Sequence, residues 1–503
     1  MRSDLKKRIV CLLLCMLATL PALNGCGSGG NTETESGNTE TTPSETTPQE
    51  TETTRANTKD SLPDDLRFDG TTINVFGFGW ESSVWYDTTG GGELTGDVVL
   101  DAMVNRNIAV EERLGVKFNW IIGPDDWNGF PNAVKTALLA GASDYDFVVE
   151  ENSRLFEQSV QGFYYDLATK PYIDLSQPWW YNELMEQSSL DNNKRYFLAG
   201  DICLTTLLGA SAMYFNKPIF IDHFGDTQTL YDTVLEGKWT YDVFMQYCRD
   251  IATDVNGDGV YDDSDLLGFR YSQWGIPNYL SMSVGLDYIT RDADGFPVLD
   301  IYNEESIKWA DTLYKLLYTE NMSAEGNTSQ TFLDGHSLFY PGMFSASNDL
   351  RKADFDYGIL PYPKLEESFS YYSGAAPANG CGVGVPVSAP AEKLDAIYAT
   401  IEALCAEAYR KVTPAWYDTA LKVKYADAAI DAEMIDLIYD NIKSPFIMMA
   451  DKAIGTGSIF TNAVYGSKSE GTFASYWEKN GKNLEKKLAD IIAKYKELDL
   501  SGN

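Results

Sequence analysis

The chain has 503 residues, too many for one ordinary hydrophobic core, which predicts at least two lobes or domains. Hydrophobic residues make up 44% and aromatic residues 13%, enough to fill cores of that size. With 74 acidic against 39 basic side chains the formal net charge is −35, which excludes a nucleic-acid binder and adsorption to an anionic membrane surface.

Arg2, Lys6, Lys7 and Arg8 precede an apolar run from Ile9 to Leu23, of signal-peptide length and short for a membrane span. The run ends in Leu23-Asn24-Gly25-Cys26. A Leu, a small residue and then Cys resembles the lipobox of bacterial lipoproteins. That resemblance implies that residues 1–25 are removed as a lipoprotein signal peptide and that Cys26 carries a diacylglycerol. The protein is then held at the extracellular face of the cell membrane through this lipid anchor alone. Loss of the four basic and one acidic residue before Cys26 takes the formal charge from −35 to −38. Cys203, Cys248, Cys381 and Cys405 remain in the body, too few for a disulfide framework, and read as small buried apolar residues. Residues 27–60 hold Gly, Ser, Thr, Glu, Asn and Pro with almost no apolar side chain, so 26–67 is expected to be a disordered acidic tether.

The fold is expected to begin near Phe68. Thr71–Phe76 reads as a strand, Asp97–Leu114 as a helix stopped by Gly115, and Val116–Ile122 as a second strand. Pro131–Ala140 reads as a helix and Asp146–Val149 as a buried strand. This alternation predicts a parallel sheet with right-handed crossovers, and ligands in such sheets lie beyond the C-terminal strand ends. Those ends are Gly77–Tyr86 and Glu150–Arg154. Further on, strands are expected at Ala210–Asn216, Ser337–Tyr340, Asp356–Leu360 and Gly382–Val387. Helices are expected at Thr240–Thr253, Asn303–Thr319, Leu394–Ala408, Ala432–Ile442 and Ser475–Leu498.

Six stretches, in order, resemble the maltose-binding-protein-like (family 1) extracellular solute-binding proteins of bacterial carbohydrate ABC importers. They are Tyr145–Leu167, Met213-Tyr214-Phe215-Asn216-Lys217, Trp239-Thr240-Tyr241-Asp242, Phe332–Gly342, Phe355–Pro363 and Gly382–Ala391. The resemblance implies an α/β, two-lobe periplasmic-binding-protein-like (type II) fold with three crossovers, near Leu204–Gly209, Phe339–Pro341 and Ala378–Gly382. Lobe one is then 68–208 plus 341–379, and lobe two 209–340 plus 380–503. Cys203 and Cys381 both fall near crossovers, where a hinge disulfide is conceivable. The implied protein is a monomeric receptor that captures a carbohydrate between its lobes and delivers it to membrane permease subunits.

Sugars present apolar C–H faces rimmed by hydroxyls, so their sites combine aromatic platforms with carboxylates, amides and Arg. The loop after the first strand offers Trp80, Glu81, Trp85 and Tyr86; that after the third offers Glu150, Asn152, Ser153 and Arg154. Trp274 and Tyr279, and Phe344 after the second crossover, stand where the family commonly places stacking aromatics, although each also suits a core. Trp179-Trp180 fits either the cleft or the cover of lobe one.

Asp254, Asn256, Asp258, Asp262 and Asp265 occupy positions 1, 3, 5, 9 and 12 of an EF-hand-type loop, with Gly259 at the sharp turn and the Val260 carbonyl at position 7. A structural calcium ion is expected there, with Asp instead of the usual Glu at the last position. His223 and His336 are the only histidines, and none of the common zinc, serine-hydrolase or phosphate-loop motifs is present. Binding without catalysis is therefore the expectation. The alternatives from other classes are a carbohydrate hydrolase working through paired carboxylates and a surface polysaccharide adhesin without transport.

Overall fold

The computed structural model describes residues 55–79, 87, 92–126, 128–191, 193–272, 275–377, 379–422 and 428–498. Cys26, the signal stretch, most of the tether, and the candidates Trp80, Glu81, Trp85, Tyr86 and Trp274 lie outside the described residues.

Seven strands form two central sheets: β1 (Thr71–Gly77), β2 (Val116–Ile122), β3 (Phe147–Glu151), β4 (Ser211–Asn216), β5 (Phe339–Met343), β6 (Tyr357–Leu360) and β7 (Cys381–Gly384). Sheet one has the order β7-β3-β1-β2, and sheet two the order β6-β4-β5. β1 is parallel to both β2 and β3, as the alternation of strands and helices requires. The connecting helix Val98–Leu114 starts at Asp97, whose carboxylate accepts the N–H groups of Val99 and Leu100, and stops at Gly115 with φ 68°. All five residues of β3 are buried, so the strand reads as a continuous run and not as an alternation. Around these sheets lie helices that give a mixed α/β, two-lobed molecule.

The lobes exchange strands where the sequence reading does not. Residues 341–379 were expected in lobe one, yet β6 pairs with β4 of sheet two. Residues 380–503 were expected in lobe two, yet β7 pairs with β3 of sheet one. Later helices are divided as well. Leu394–Glu407 packs on Val98–Leu114, whereas Asp431 of the helix Ala428–Tyr439 meets Lys217 and Tyr231 beside sheet two. Short alternating strands look alike in sequence whichever sheet completes its hydrogen bonds with them.

The body also begins earlier than Phe68. Asp60 is held by Arg113 at 2.7 Å and Arg410 at 3.2 Å, and Leu62 joins the core. Charge pairs with distant helices anchor a segment whose own composition promises no order. Trp179 and Trp180 are buried in lobe one, Trp179 packing on Tyr409. Cys203, Cys248, Cys381 and Cys405 are free and buried, so no hinge disulfide joins Cys203 to Cys381. Among the described residues no helix is long and apolar enough to cross a membrane.

Candidate functional site

Sheet two brings its loops to one cleft. β5 lies antiparallel to β4, and the tyrosines beneath it fix its C-terminal end. Tyr214 donates to the Met343 carbonyl at 3.1 Å, and Tyr362 to the Gly342 carbonyl at 3.0 Å. Opposite stands the helix Ile276–Met282, held in place by Asn278, which donates to Ser458 at 3.2 Å and accepts from Thr461 at 2.6 Å. Between them opens a cleft of about 450 Å³, walled by Tyr279, Tyr340, Met343, Asn348, Asp349 and Asn379 among others. That volume falls within the range of about 300–1,000 Å³ usual for small-molecule sites.

The lining alternates apolar and polar surface. Met282, Met343 and Ala376 form a small apolar cluster with Tyr279 and Met448 packed on it, separate from the main core. Tyr279 shares a hydrogen bond with Asn379, whose amide also approaches the Met343 sulfur at 3.6 Å. Tyr340 bonds to Thr328 and stacks near Tyr214. Burial pushes the Tyr340 hydroxyl up to about 12 and raises that of Tyr279, so both remain protonated and able to donate. Rings, thioethers, amides and hydroxyls in one concavity suit a ligand with apolar faces and a polar rim.

Asn379 leads from sheet two into β7 and so to the end of β3. Asn152 donates its N–H to the Gly380 carbonyl at 3.0 Å, and its amide approaches Thr206 at 3.4 Å. A Cβ at Gly380 would meet the Thr206 Cα at 2.9 Å, so only glycine allows this close approach of two chain crossings. The expected loop after β3 is absent, because the strand runs directly into the helix Asn152–Ser159. Glu150, Asn152 and Ser153 are consequently buried, and Arg154 pairs with Glu157 at 3.2 Å.

Glu150 points into lobe one, where Gln158 donates to it at 2.8 Å and Tyr164 in turn donates to Gln158. Burial pushes its carboxyl up to about 8, against that hydrogen bond. Burial likewise lifts Glu151 to about 7, opposed by Arg154 and Lys452. Glu150 is thus an interior group and not a cleft-lining one. Phe344 is interior too. The strand ends at Met343, and the turn Phe344–Ala346 swings the ring against Trp416, 5.0 Å away at 61°. Of the described sequence candidates, Tyr279 lines the cleft. Tyr340, Met343, Asn348, Asp349 and Asn379 were missed. No crossover occurs at the expected Phe339–Pro341, because β5 and β6 both belong to sheet two. The sequence signal for Asn379 was the crossover expected at Ala378–Gly382, and the others had none.

Asp87, the one described residue between Gly79 and Gly92, is held at the first crossover. Asp87 is buried and accepts both the N–H and the hydroxyl of Thr205, at 2.9 and 2.6 Å. Arg106 donates to the carbonyls of Asp87 and Ile202. The residue that closes the 80–86 stretch is therefore fixed to the first crossover, helix Leu204–Leu208.

The acidic loop folds around its own carboxylates. Asp254 accepts the N–H groups of Gly257 and Gly259, Asp258 that of Val260, and buried Asp265 those of Val255 and Asp262. Asn256 and Asp262 accept from Asp258 and Ser264. Among the described residues no three His, Cys, Asp or Glu side chains converge on one metal position.

A family profile for bacterial extracellular solute-binding proteins matches residues 109–410. The chain belongs to that family. No curated protein sequence matches it. Solved structures with the same fold include the sugar-binding protein MalE of Xanthomonas citri, with a TM-score of 0.57 and 14% identity over 85% of this chain and 100% of that one. Another is the galacto-N-biose-/lacto-N-biose I-binding protein of the Bifidobacterium longum ABC transporter, with lacto-N-biose bound, at TM-score 0.54 and 10% identity over 85% and 99%. A third, an ABC substrate-binding protein of Listeria monocytogenes in complex with cycloalternan, gives 0.52 and 13% over 84% and 100%. These likenesses establish the fold: a two-lobe, periplasmic-binding-protein-like architecture.

Proposed function

We propose that this protein is the receptor of an ABC importer, which captures a sugar or oligosaccharide between its lobes and delivers it to a membrane permease. The observation that carries this reading is the cleft beside the crossovers, where Tyr279, Tyr340, Asn348, Asp349 and Asn379 surround a thioether floor. The lacto-N-biose and cycloalternan named for the Bifidobacterium and Listeria proteins, and the description of the Xanthomonas protein as sugar-binding, agree with that lining. A ligand touching both lobes favours the closed arrangement, which is the differential affinity that a transport signal requires. The lipobox-like Leu23–Cys26 supports anchoring through Cys26, with the acidic stretch as the tether. The EF-hand-like loop is assigned a structural calcium ion.

The test is a thermal-shift screen of mono- and oligosaccharides with analysis of the recovered sugar. Saturable stabilisation with the sugar intact is the expected result; cleavage of the sugar would replace the receptor by a hydrolase. For the anchor, Cys26→Ala is expected to release the protein into the medium, and continued association with cells would reject lipid anchoring.

A further inference from the structure

The chain enters the folded body beside the hinge. Arg55, the first described residue, places its guanidinium over the rings of two tyrosines that belong to different lobes. Tyr409, 4.2 Å away, lies in the π-helical turn Ala408–Val412, which packs on the lobe-one helix Val98–Leu114. Tyr439, 5.0 Å away, ends the helix Ala428–Tyr439. The first turn of that helix is fixed beside sheet two, where Asp431 meets Lys217 at 3.0 Å and Tyr231 at 2.7 Å. Asp201, 3.8 Å from Arg55, leads into the first crossover and is fully buried. It accepts hydroxyls from both lobes, that of Tyr181 at 2.7 Å and that of Tyr439 at 3.3 Å. Just downstream the entering segment is pinned to lobe one: Arg410 donates to the Thr58 carbonyl at 3.0 Å, and Asp60 pairs with Arg113 and Arg410.

A two-lobed molecule opens by rotation about its crossovers, and groups that touch both lobes favour whichever arrangement keeps their contacts. A cation over aromatic rings gains more as it is desolvated, and the Arg55 side chain is only 33% exposed. Moving Tyr439 away from Tyr409 and Asp201 takes a ring from the cation and a donor from a buried carboxylate. We propose that Arg55 is a hinge clamp, which ties lobe one to lobe two through Tyr409, Asp201 and Tyr439. The stretch that precedes the body is thereby coupled to the arrangement of the lobes: release of Arg55, by tension on that stretch or by substitution, frees the hinge. The clamp rests on the fold and not on the identity of any ligand.

Electron–electron spin-label distances on the full-length protein, without added sugar, test the clamp. The labels are carried by non-canonical amino acids at two exposed positions, Lys117 of lobe one and Lys238 of lobe two. The wild type is expected to show one dominant distance, and Arg55→Ala to raise the population at other distances about tenfold, in line with the loss of two cation–ring contacts. Tyr439→Leu removes the lobe-two ring and leaves Arg55, Tyr409 and Asp201 in place. It should act in the same way, and serves should Arg55→Ala fold poorly. Lys393→Ala breaks a lobe-one ion pair with buried Asp146, 2.5 Å long, and should lower the melting temperature with the wild-type distances kept. Wild-type distances in folded Arg55→Ala, or in Tyr439→Leu, overturn the clamp, as does a wild type already spread over many distances. An equal redistribution in Lys393→Ala would assign the effect to lost stability and overturn it too.

Discussion

The guanidinium of Arg55 lies 3.8 Å from the buried carboxylate of Asp201 and stacks over the rings of Tyr409 and Tyr439, at 4.2 and 5.0 Å. Burial works against the Arg55 charge, and Tyr439, Asp201 and Tyr409 together more than offset it. Burial raises the Asp201 carboxyl even so, despite Arg55 and the hydroxyls of Tyr181 and Tyr439, which donate to it at 2.7 and 3.3 Å. Arg55→Ala would leave that carboxylate without its cation. A loss of about 2–4 kcal/mol in stability is expected, read by urea denaturation. Asp201→Asn in the Arg55→Ala background should recover part of it; no recovery would mean that lost ring stacking accounts for the effect.

Several buried carboxyls make stability depend on pH in an unusual direction. Burial holds Glu150 and Glu402 near 8 and Asp87 near 7, all above their values in an unfolded chain. The folded state therefore keeps protons that the unfolded state has released, and their stabilisation, complete below about pH 4, is lost as pH rises towards 8. Asp60 and Glu407 act oppositely: burial alone would raise them, but Arg and Lys partners pull both below the usual range, so their contribution is complete above about pH 4 and is lost as the pH falls below it. The melting temperature should accordingly peak on the acidic side of neutrality and fall from pH 6 to 8. Glu150→Gln, isosteric with the protonated carboxyl and able to meet Gln158, should flatten that fall by about 1–2 kcal/mol. An unchanged slope would show that Glu150 does not titrate in this window.

Sequence and structure agree where local signals decide and part where a distant partner decides. The βαβαβ run from Thr71 to Glu151 was legible because the Gly115 stop and the apolar start of β3, Phe147-Val148-Val149, are local. The memberships of β6 and β7 were not legible, since each is a short strand whose partner lies far away in the chain, at β4 and β3. The site was half legible for a similar reason. Tyr279 was found as an aromatic in a suitable position, whereas Tyr340 and Asn379 become neighbours only through the crossing of three chain segments. Glu150 and Ser153 look like a polar ligand loop in sequence, because helix Asn152–Ser159 carries a weak propensity signal that tertiary packing overrides.

Tyr340 and Phe344 stand four residues apart and should respond in opposite ways. Tyr340 faces the cleft, so Tyr340→Ala should weaken ligand binding about tenfold or more, with a smaller change in melting temperature. Phe344 fills the space beside Trp416, so Phe344→Ala should cost about 3–5 kcal/mol in stability, with the folded fraction binding ligand much as before. Calorimetry and denaturation on the pair separate the two. Loss of affinity in Phe344→Ala at full stability would move that ring back into the site.

The acidic loop permits one more test. Its carboxylates already receive backbone N–H groups, and those of Asp254 tie down both glycines of the turn, so the loop has a shape without an ion. Each carboxylate oxygen can accept further, and the chain's large negative charge favours a divalent cation. Extracellular calcium sites bind at about 10⁻⁴–10⁻³ M, so about 2 mM calcium should stabilise the fold by about 1–2 kcal/mol. The melting temperature should rise by about 1–3 °C, fall back with a chelator, and respond weakly to magnesium, which demands a tighter octahedral shell. Asp258→Ala should abolish the calcium response, because it removes the oxygen at the loop's fifth position while leaving the buried Asp265 bonds to Val255 and Asp262 in place. A wild-type melting temperature indifferent to calcium would show that the loop is closed by its own hydrogen bonds alone.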